Sequence, residues 1–410
     1  MHTNLKNIFH TRYKAILLLI TFGLFAVYVT SGISTVDGWN NEREWLQSKE
    51  FKENFEDPTS GYIKGYDESG KEITYQDIEE YRLEELTLFH NDFYTTETIT
   101  SDTSFTPSTK YQAGQVYWNR YDHSYISIIP LFIFLLGFGL FFIDLKTNFN
   151  TLLFSLPFTK KQIFRGKLLY WTIPLMLAIG LGSILHQLIV YLMIPAPYVN
   201  ATLGQMLYAG LSHWIFTLLA FLIGSFLGVL LGNLVTGPLM IVAGLISLEP
   251  SNQFLNNLSN LFKFLKLDSI NTFFSQRFGD FSAMAISSLG KTGSTLPTLI
   301  VFLLVTGIAF LLAEKIYQNI SLENNGKVLT VPRYRKRFFV ILAIFTTLYF
   351  TFGGVDLAFY YDYYDKLPFL ELIFLPAICI ISSFVLTYYD EIIKFWNKRY
   401  LARMAKNISK

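Results

Sequence analysis

With 410 residues, of which 51% are hydrophobic, 17% aromatic and only 16% charged, the chain is too apolar for an ordinary soluble domain. Its formal net charge of +2 gives no basis for expecting a nucleic-acid partner. A single cysteine, Cys379, excludes an intrachain disulfide and any paired-cysteine metal motif.

Stretches approaching or exceeding the ~20 apolar residues that span a bilayer lie near 15–33, 124–144, 168–191, 208–232, 234–249, 297–314, 338–355 and 368–388. The first follows Lys6, Arg12 and Lys14, as a signal peptide would. Its apolar run is longer than the usual ~7–15 residues and lacks a clear small-x-small cleavage site, so a retained anchor is expected. Residues 34–123 carry 19 acidic and 8 basic residues, with Trp39, Trp45, Trp118 and many Tyr and Phe. Disordered segments are poor in aromatics, so this segment is expected to fold as a small α+β domain outside the membrane. Within it "GYDESGKEITYQD" reads as a hairpin, followed by a helical "QDIEEYRLEELTLF". The negative charge suits cationic ligands or simple solubility.

Residues 141–171, "FFIDLKTNFNTLLFSLPFTKKQIFRGKLLYW", leave one apolar run at Asp144 and re-enter another after Lys167. Phe149, Leu152, Leu153 and Leu156 fall at i, i+3, i+4 and i+7, one face of a short helix. Pro157 ends it. "TKKQ" then forms a capping box in which Thr159 and Gln162 satisfy each other's amides, with Phe158 and Ile163 at the staple positions. The spacing predicts a stiff helix–break–helix between the second and third spans. An ordinary interfacial helix anchored by Lys160, Lys161, Arg165 and Lys167 fits the same residues.

Further along, His186 and His213 lie within spans, where ionisable groups are functional candidates. Neutral imidazoles packed with Gln187 are the bland alternative, and no HExxH motif accompanies them. Gly224, Gly228 and Gly232 repeat at spacing four, which lets a second helix approach closely. The 16 residues of 234–249 rise only about 24 Å. In 250–296, Phe254, Leu255, Leu258, Leu261, Phe262 and Leu265 share one helical face, as in an interfacial or capping helix. "AISSLGKT", residues 285–292, matches a relaxed nucleotide loop, but no buried strand precedes it, so no nucleotide site is expected. Asp356, Asp362 and Asp365 gather among aromatics in the last outer loop, a cation site or helix-end decoration.

Orientation follows from where Lys and Arg fall near span ends. Segments 1–14, 144–167, 315–337 and 389–410 hold 3, 5, 6 and 6 of the 33, against 8, 4 and 1 for 34–123, 250–296 and Lys366. Eight spans with both termini cytoplasmic satisfy that bias.

"FSLPFTKKQIFRGKLL" (154–169), the long outer segment after the first span, and "SLENNGKVLTVP" (321–332) resemble permease subunits of the ABC-2 class of ATP-binding-cassette transporters, in its Ytr-like branch. The resemblance implies an all-α polytopic membrane protein of the cell membrane, with a six-helix core and two appended helices. The expected parts are a cytoplasmic N-terminus and first helix (1–33) and an extracytoplasmic domain (34–123). Core helices follow (124–317), with a coupling loop (144–167) and an outer amphipathic loop (250–296). A basic linker, two further helices and a cytoplasmic tail (318–410) complete the chain. It implies that Phe149, Leu152, Leu153, Leu156, Pro157, Phe158, Thr159, Lys160, Lys161 and Arg165 couple to a separate ATPase subunit. ATP and Mg then sit on that partner, and this chain carries no cofactor, metal or catalytic residue. A second permease, identical or not, and membrane lipids are the other expected partners. The expected role is non-catalytic, as the transmembrane subunit of an exporter. The alternatives are a sensor or immunity subunit for an antimicrobial peptide or cell-wall ligand, and a membrane-embedded enzyme using His186 or His213.

Overall fold

The computed structural model describes residues 5–57, 61–66, 72–90, 117–121, 125–147, 149–246, 291–292, 296–324, 326–354 and 369–408. In chain order the helices are α1 (Leu5–Gln47), α2 (Lys49–Glu56), α3 (Ile78–Leu86), α4 (Ile129–Lys146), α5 (Phe149–Phe154) and α6 (Lys160–Met193). They continue with α7 (Leu203–Leu230), α8 (Thr236–Ile246), α9 (Leu296–Gln318), α10 (Arg335–Gly354), α11 (Phe369–Thr387) and α12 (Tyr389–Ile408). Among the described residues, five helices (α1, α4, α6, α7 and α9) are long and apolar enough to cross a membrane. The pair α11 and α12 passes the same test together, bent by 74° at the break. The protein is thus a multi-pass membrane protein built of α-helices.

The chain forms two compact units. The first comprises Met1–Phe132, Gly166–Leu219 and Ala283–Val305. Here α1 continues well past residue 33 to Gln47, so the sequence boundary at 33/34 falls inside a helix. The helix stops where Ser48 turns extended and its side chain accepts from Phe51 N, capping α2. The α1–α6 approach is close: a Cβ at Gly182 would lie 2.9 Å from the Tyr28 ring, and one at Gly32 would lie 3.2 Å from the His186 backbone. Val36, Trp39, Leu46, Phe51, Leu86 and Tyr121 pack into one core with Val190, Ile194 and Met206. Trp39 Nε1 donates to the Leu86 carbonyl at 2.9 Å, which satisfies the buried indole. Strand β1 (Ile63–Tyr66) pairs antiparallel with β2 (Glu72–Thr74), and Asp77 caps α3. Strands β3 (Phe89–His90), β4 (Tyr117–Asn119) and β5 (Lys291–Thr292) form a second small antiparallel sheet. The Asn200 amide completes the edge of β3, accepting from Phe89 N and donating to Phe89 O.

The second unit comprises Ile133–Arg165, Ala220–Ser282 and Thr306–Lys410. Its α4–α7 seam has no room for a side chain. A Cβ at Gly224 would overlap the Phe134 carbonyl, and one at Gly228 the Phe138 carbonyl. Gly137 answers from α4, where a Cβ would overlap the Phe221 carbonyl. Gly232, beyond α7, would place a Cβ 2.7 Å from the Lys327 carbonyl oxygen. Helices α10 and α11 pack together, with Thr346 and Ser383 hydroxyls 3.0 Å apart and Phe339 edge-on to Phe384. Helix α8 is described over 11 residues, Thr236–Ile246. The amphipathic run at 254–265, residues 285–290 of "AISSLGKT" and Asp356, Asp362 and Asp365 lie outside the described residues.

The glycine seam predicts opposite outcomes for one substitution type. Gly307→Ala, where a Cβ meets nothing within 4 Å, is expected to be neutral or to stabilise by up to about 1 kcal/mol through helix propensity. Gly228→Ala gains the same propensity but must push the α4 and α7 backbones apart, an overpacking cost of about 1–3 kcal/mol that outweighs it. Thermal unfolding of the two purified variants in one detergent checks the sign.

Candidate functional site

The predicted helix–break–helix lies in the second unit. Helix α5 is a turn and a half long, and Ser155 Oγ donates back to the Leu152 carbonyl at 2.8 Å. Proline at 157 cannot continue a helix, and the chain tightens there, with Phe158 N donating to Leu156 O at 2.7 Å. The capping box is formed: Gln162 N donates to Thr159 Oγ1 at 3.2 Å, and Thr159 N donates to Gln162 Oε1 at 2.9 Å. Helix α6 therefore starts at Lys160, and the cationic cluster sits on its first two turns rather than in a loop.

The base of α9 holds this hairpin. Glu314, 5% exposed, receives Arg165 in a fork, Nε at 2.8 Å and Nη2 at 3.2 Å. Lys161 Nζ is 3.4 Å from the same carboxylate, and Gln318 donates to it at 3.2 Å. Lys160 donates to the Ile320 carbonyl and lies 4.8 Å from the centre of the Phe154 ring. Tyr317, buried, donates to Asn150 Oδ1 at 3.3 Å. Its ring meets those of Phe141, Phe154 and Phe164 at centroid distances of 5.8, 5.8 and 5.4 Å. Three cations that suit interfacial anchoring thus have partners within the protein.

The residues predicted to share one face divide. Phe149 and Leu153, four apart, are buried, whereas Leu152 is 53% exposed. Leu152 sits at the rim of the stripe, and α5 ends at Phe154, so Leu156 belongs to the turn and not to the helix. Leu156 and Phe158 are half-buried, and Pro157 and Thr159 are exposed. Sequence reasoning missed Glu314, Tyr317 and Asn150. The available signal was a carboxylate in the last turns of an apolar span, which calls for a named cationic partner.

Residues 326–330, in the same unit, close the end of α7. Gly232 N donates to Val328 O and Thr330 N to Leu230 O, both at 2.9 Å, and Thr330 Oγ1 donates to Val229 O at 2.8 Å. Lys146, at the end of α4, donates to the Gly232 carbonyl. Just beyond, Arg333 donates to the Tyr334 phenol at 3.0 Å, and this hydrogen bond holds the phenol below its usual pKa.

In the first unit, Tyr28 and His213 Nε2 are hydrogen-bonded at 2.5 Å, and His186 is 1% exposed. Gly32 packs tightly on His186, with its Cβ position 3.5 Å from Nδ1. Among the described residues no group of three His, Cys, Asp or Glu could hold a metal ion. The geometry there is side-chain packing of α1 on α6 and α7. Comparisons with protein-family models, with curated proteins and with solved structures find no match.

The hairpin clamp predicts that Glu314→Gln loosens α5 while leaving the spans inserted. Losing a fully buried pair costs about 3–5 kcal/mol, but Arg165 and Lys161 are 47% and 52% exposed and remain partly hydrated. The expected loss is about 1–2 kcal/mol. Hydrogen–deuterium exchange across 149–165 should accelerate, with exchange in α7 unchanged.

Proposed function

We propose that the chain is the transmembrane permease subunit of an ATP-binding-cassette exporter, energised by a separate ATPase subunit that docks on residues 149–159. One observation carries the reading. The hairpin is fastened on one side to α9 through Glu314 and Tyr317, while Leu152 and Pro157 stay exposed and Leu156 and Phe158 half-exposed. An element held rigidly on its inner side, with apolar residues on its outer side, suits transmission of force from a partner. Movement of the partner would pass through the capped turn into α6 and through the Glu314 fork into α9. In this reading ATP and Mg belong to the partner and the chain has no catalytic residue. Eight crossings with both termini cytoplasmic rest on the positive-inside distribution of Lys and Arg. The acidic segment 34–123 then lies outside the cell, and the glycine seam stiffens α4 against α7 beside the coupling element.

The test is Leu152→Asp, which adds a charge at an exposed site and so spares folding. If the surface is covered by an ATPase, desolvating that charge is costly. The expected result is normal abundance, loss of the co-purifying ATPase and loss of substrate-stimulated ATP hydrolysis. A Leu156→Asp, Phe158→Asp double variant should act in the same direction. Retention of partner and activity at normal abundance overturns the docking role. Ligand-stimulated hydrolysis with no movement of ligand across proteoliposomes would instead mark a sensor or immunity subunit.

A further inference from the structure

We propose that α12 is an in-plane amphipathic helix that reads the anionic charge of a membrane surface. Helix α11 is largely apolar, and α12 leaves it with a 74° bend after a single residue, Tyr388. If α11 runs near the membrane normal, such a bend puts α12 within roughly 20° of the membrane plane, the geometry of interfacial helices.

The pattern along α12 agrees with that placement. Ile393, Trp396, Tyr400 and Leu401 fall at i, i+3, i+7 and i+8 on one side of the helix, which also carries Asn397, and are 39%, 63%, 62% and 66% exposed. Lys394, at the edge of that side, and Lys398 and Arg399, off it, are also exposed, and Phe395 among them is 53% exposed. Arg399 lies 4.5 Å from the centre of the Phe395 ring, which holds its guanidinium along the helix surface. Trp and Tyr favour the headgroup level, where an apolar ring and a polar tip are both accommodated. Lys and Arg beside them attract anionic headgroups. A span that enters a helix with this composition and no turn to water is continuous with the lipid, so a lipid surface is the occupant that the geometry supplies.

The bend is fixed by the protein, not by the lipid. Asp390 accepts from Val328 N at 2.8 Å, and Arg335 pairs with Glu391. Arg335 also lies 5.7 Å from the centre of the Tyr388 ring, at the break itself. The first turn of α12 is thus tied to Val328 and to the start of α10, while residues 393–401 are exposed.

The experiment uses the full chain with Cys379→Ser as background and a nitroxide placed by Trp396→Cys or Lys398→Cys. The protein is reconstituted in nanodiscs of phosphatidylcholine alone or of phosphatidylcholine mixed with phosphatidylglycerol. Accessibility is read to oxygen, which partitions into lipid, and to a water-soluble nickel chelate. The expected result in the anionic discs is that position 396 favours oxygen and position 398 favours nickel. In neutral discs, or with Lys394→Gln and Arg399→Gln, the contrast between the two positions should fall several-fold. Equal nickel access at both positions places the helix in water and overturns the proposal. Oxygen preference at both would make α12 part of a re-entrant segment, and exclusion of both reagents at 396 would mean that protein covers that side. Either outcome overturns the proposal, as does a contrast that is the same in neutral and anionic discs.

Discussion

A carboxylate near the end of an apolar helix is tolerable only with a cation beside it, and in this protein that constraint fixes much of the second unit. Glu314 takes both ends of the Arg165 fork and the Lys161 ammonium, so the start of α6 is held in register with the last turns of α9. The planar guanidinium can meet both carboxylate oxygens at once, which fixes orientation as well as distance. With that register set, Tyr317 one turn further along α9 reaches Asn150, and the rings of Phe141, Phe154 and Phe164 close around it. Helix α5 has too few residues to be stable by itself. It is held because Asn150 and Phe154 meet Tyr317 and because Phe149 and Leu153 are buried.

A second constraint acts at the end of α7, where the last carbonyls of a helix lack partners within it. In a membrane protein these groups are costly unless something donates to them. The segment 326–330 runs alongside, and its Thr330 amide and hydroxyl take the Leu230 and Val229 carbonyls. Gly326 makes the approach feasible. Its φ of +98° is a conformation that residues with a Cβ rarely adopt, and its carbonyl accepts from Asn233. Because Val328 N then donates to Asp390, the same short segment that closes α7 also fixes where α12 begins. One stretch without regular structure therefore sets the positions of two helices.

What could be read from the sequence follows from the range of the interaction involved. The capping box at Thr159 and Gln162 consists of bonds across three residues, so adjacent letters carry the whole instruction. Gly224 and Gly228 were legible for a related reason, since four-residue spacing alone puts both on one face, although nothing in the letters says that α4 is the helix they meet. Helix ends were read less well. A span was expected to stop where its apolar residues stop, but a helix stops where its hydrogen bonding is capped. Helix α1 accordingly runs on to Gln47, whereas the start of α6 at Lys160, set by the cap at Thr159, was legible.

The pair that holds the hairpin was not legible at all. Arg165 and Glu314 are 149 residues apart. A positive count near span ends assigns a side of the membrane to each cation without saying which cations are neutralised. From the letters Lys160, Lys161 and Arg165 fit a coupling element or anchors to the lipid surface equally, and in the folded chain they bind α9 and the carbonyl of Ile320. On α12 the first-turn carboxylates are already engaged, Asp390 by Val328 N and Glu391 by Arg335, while Lys394, Lys398 and Arg399 are exposed beside exposed aromatics. The difference between a clamp and a membrane anchor lies in whether a carboxylate or an open carbonyl stands opposite. Only the folded arrangement of helices decides that.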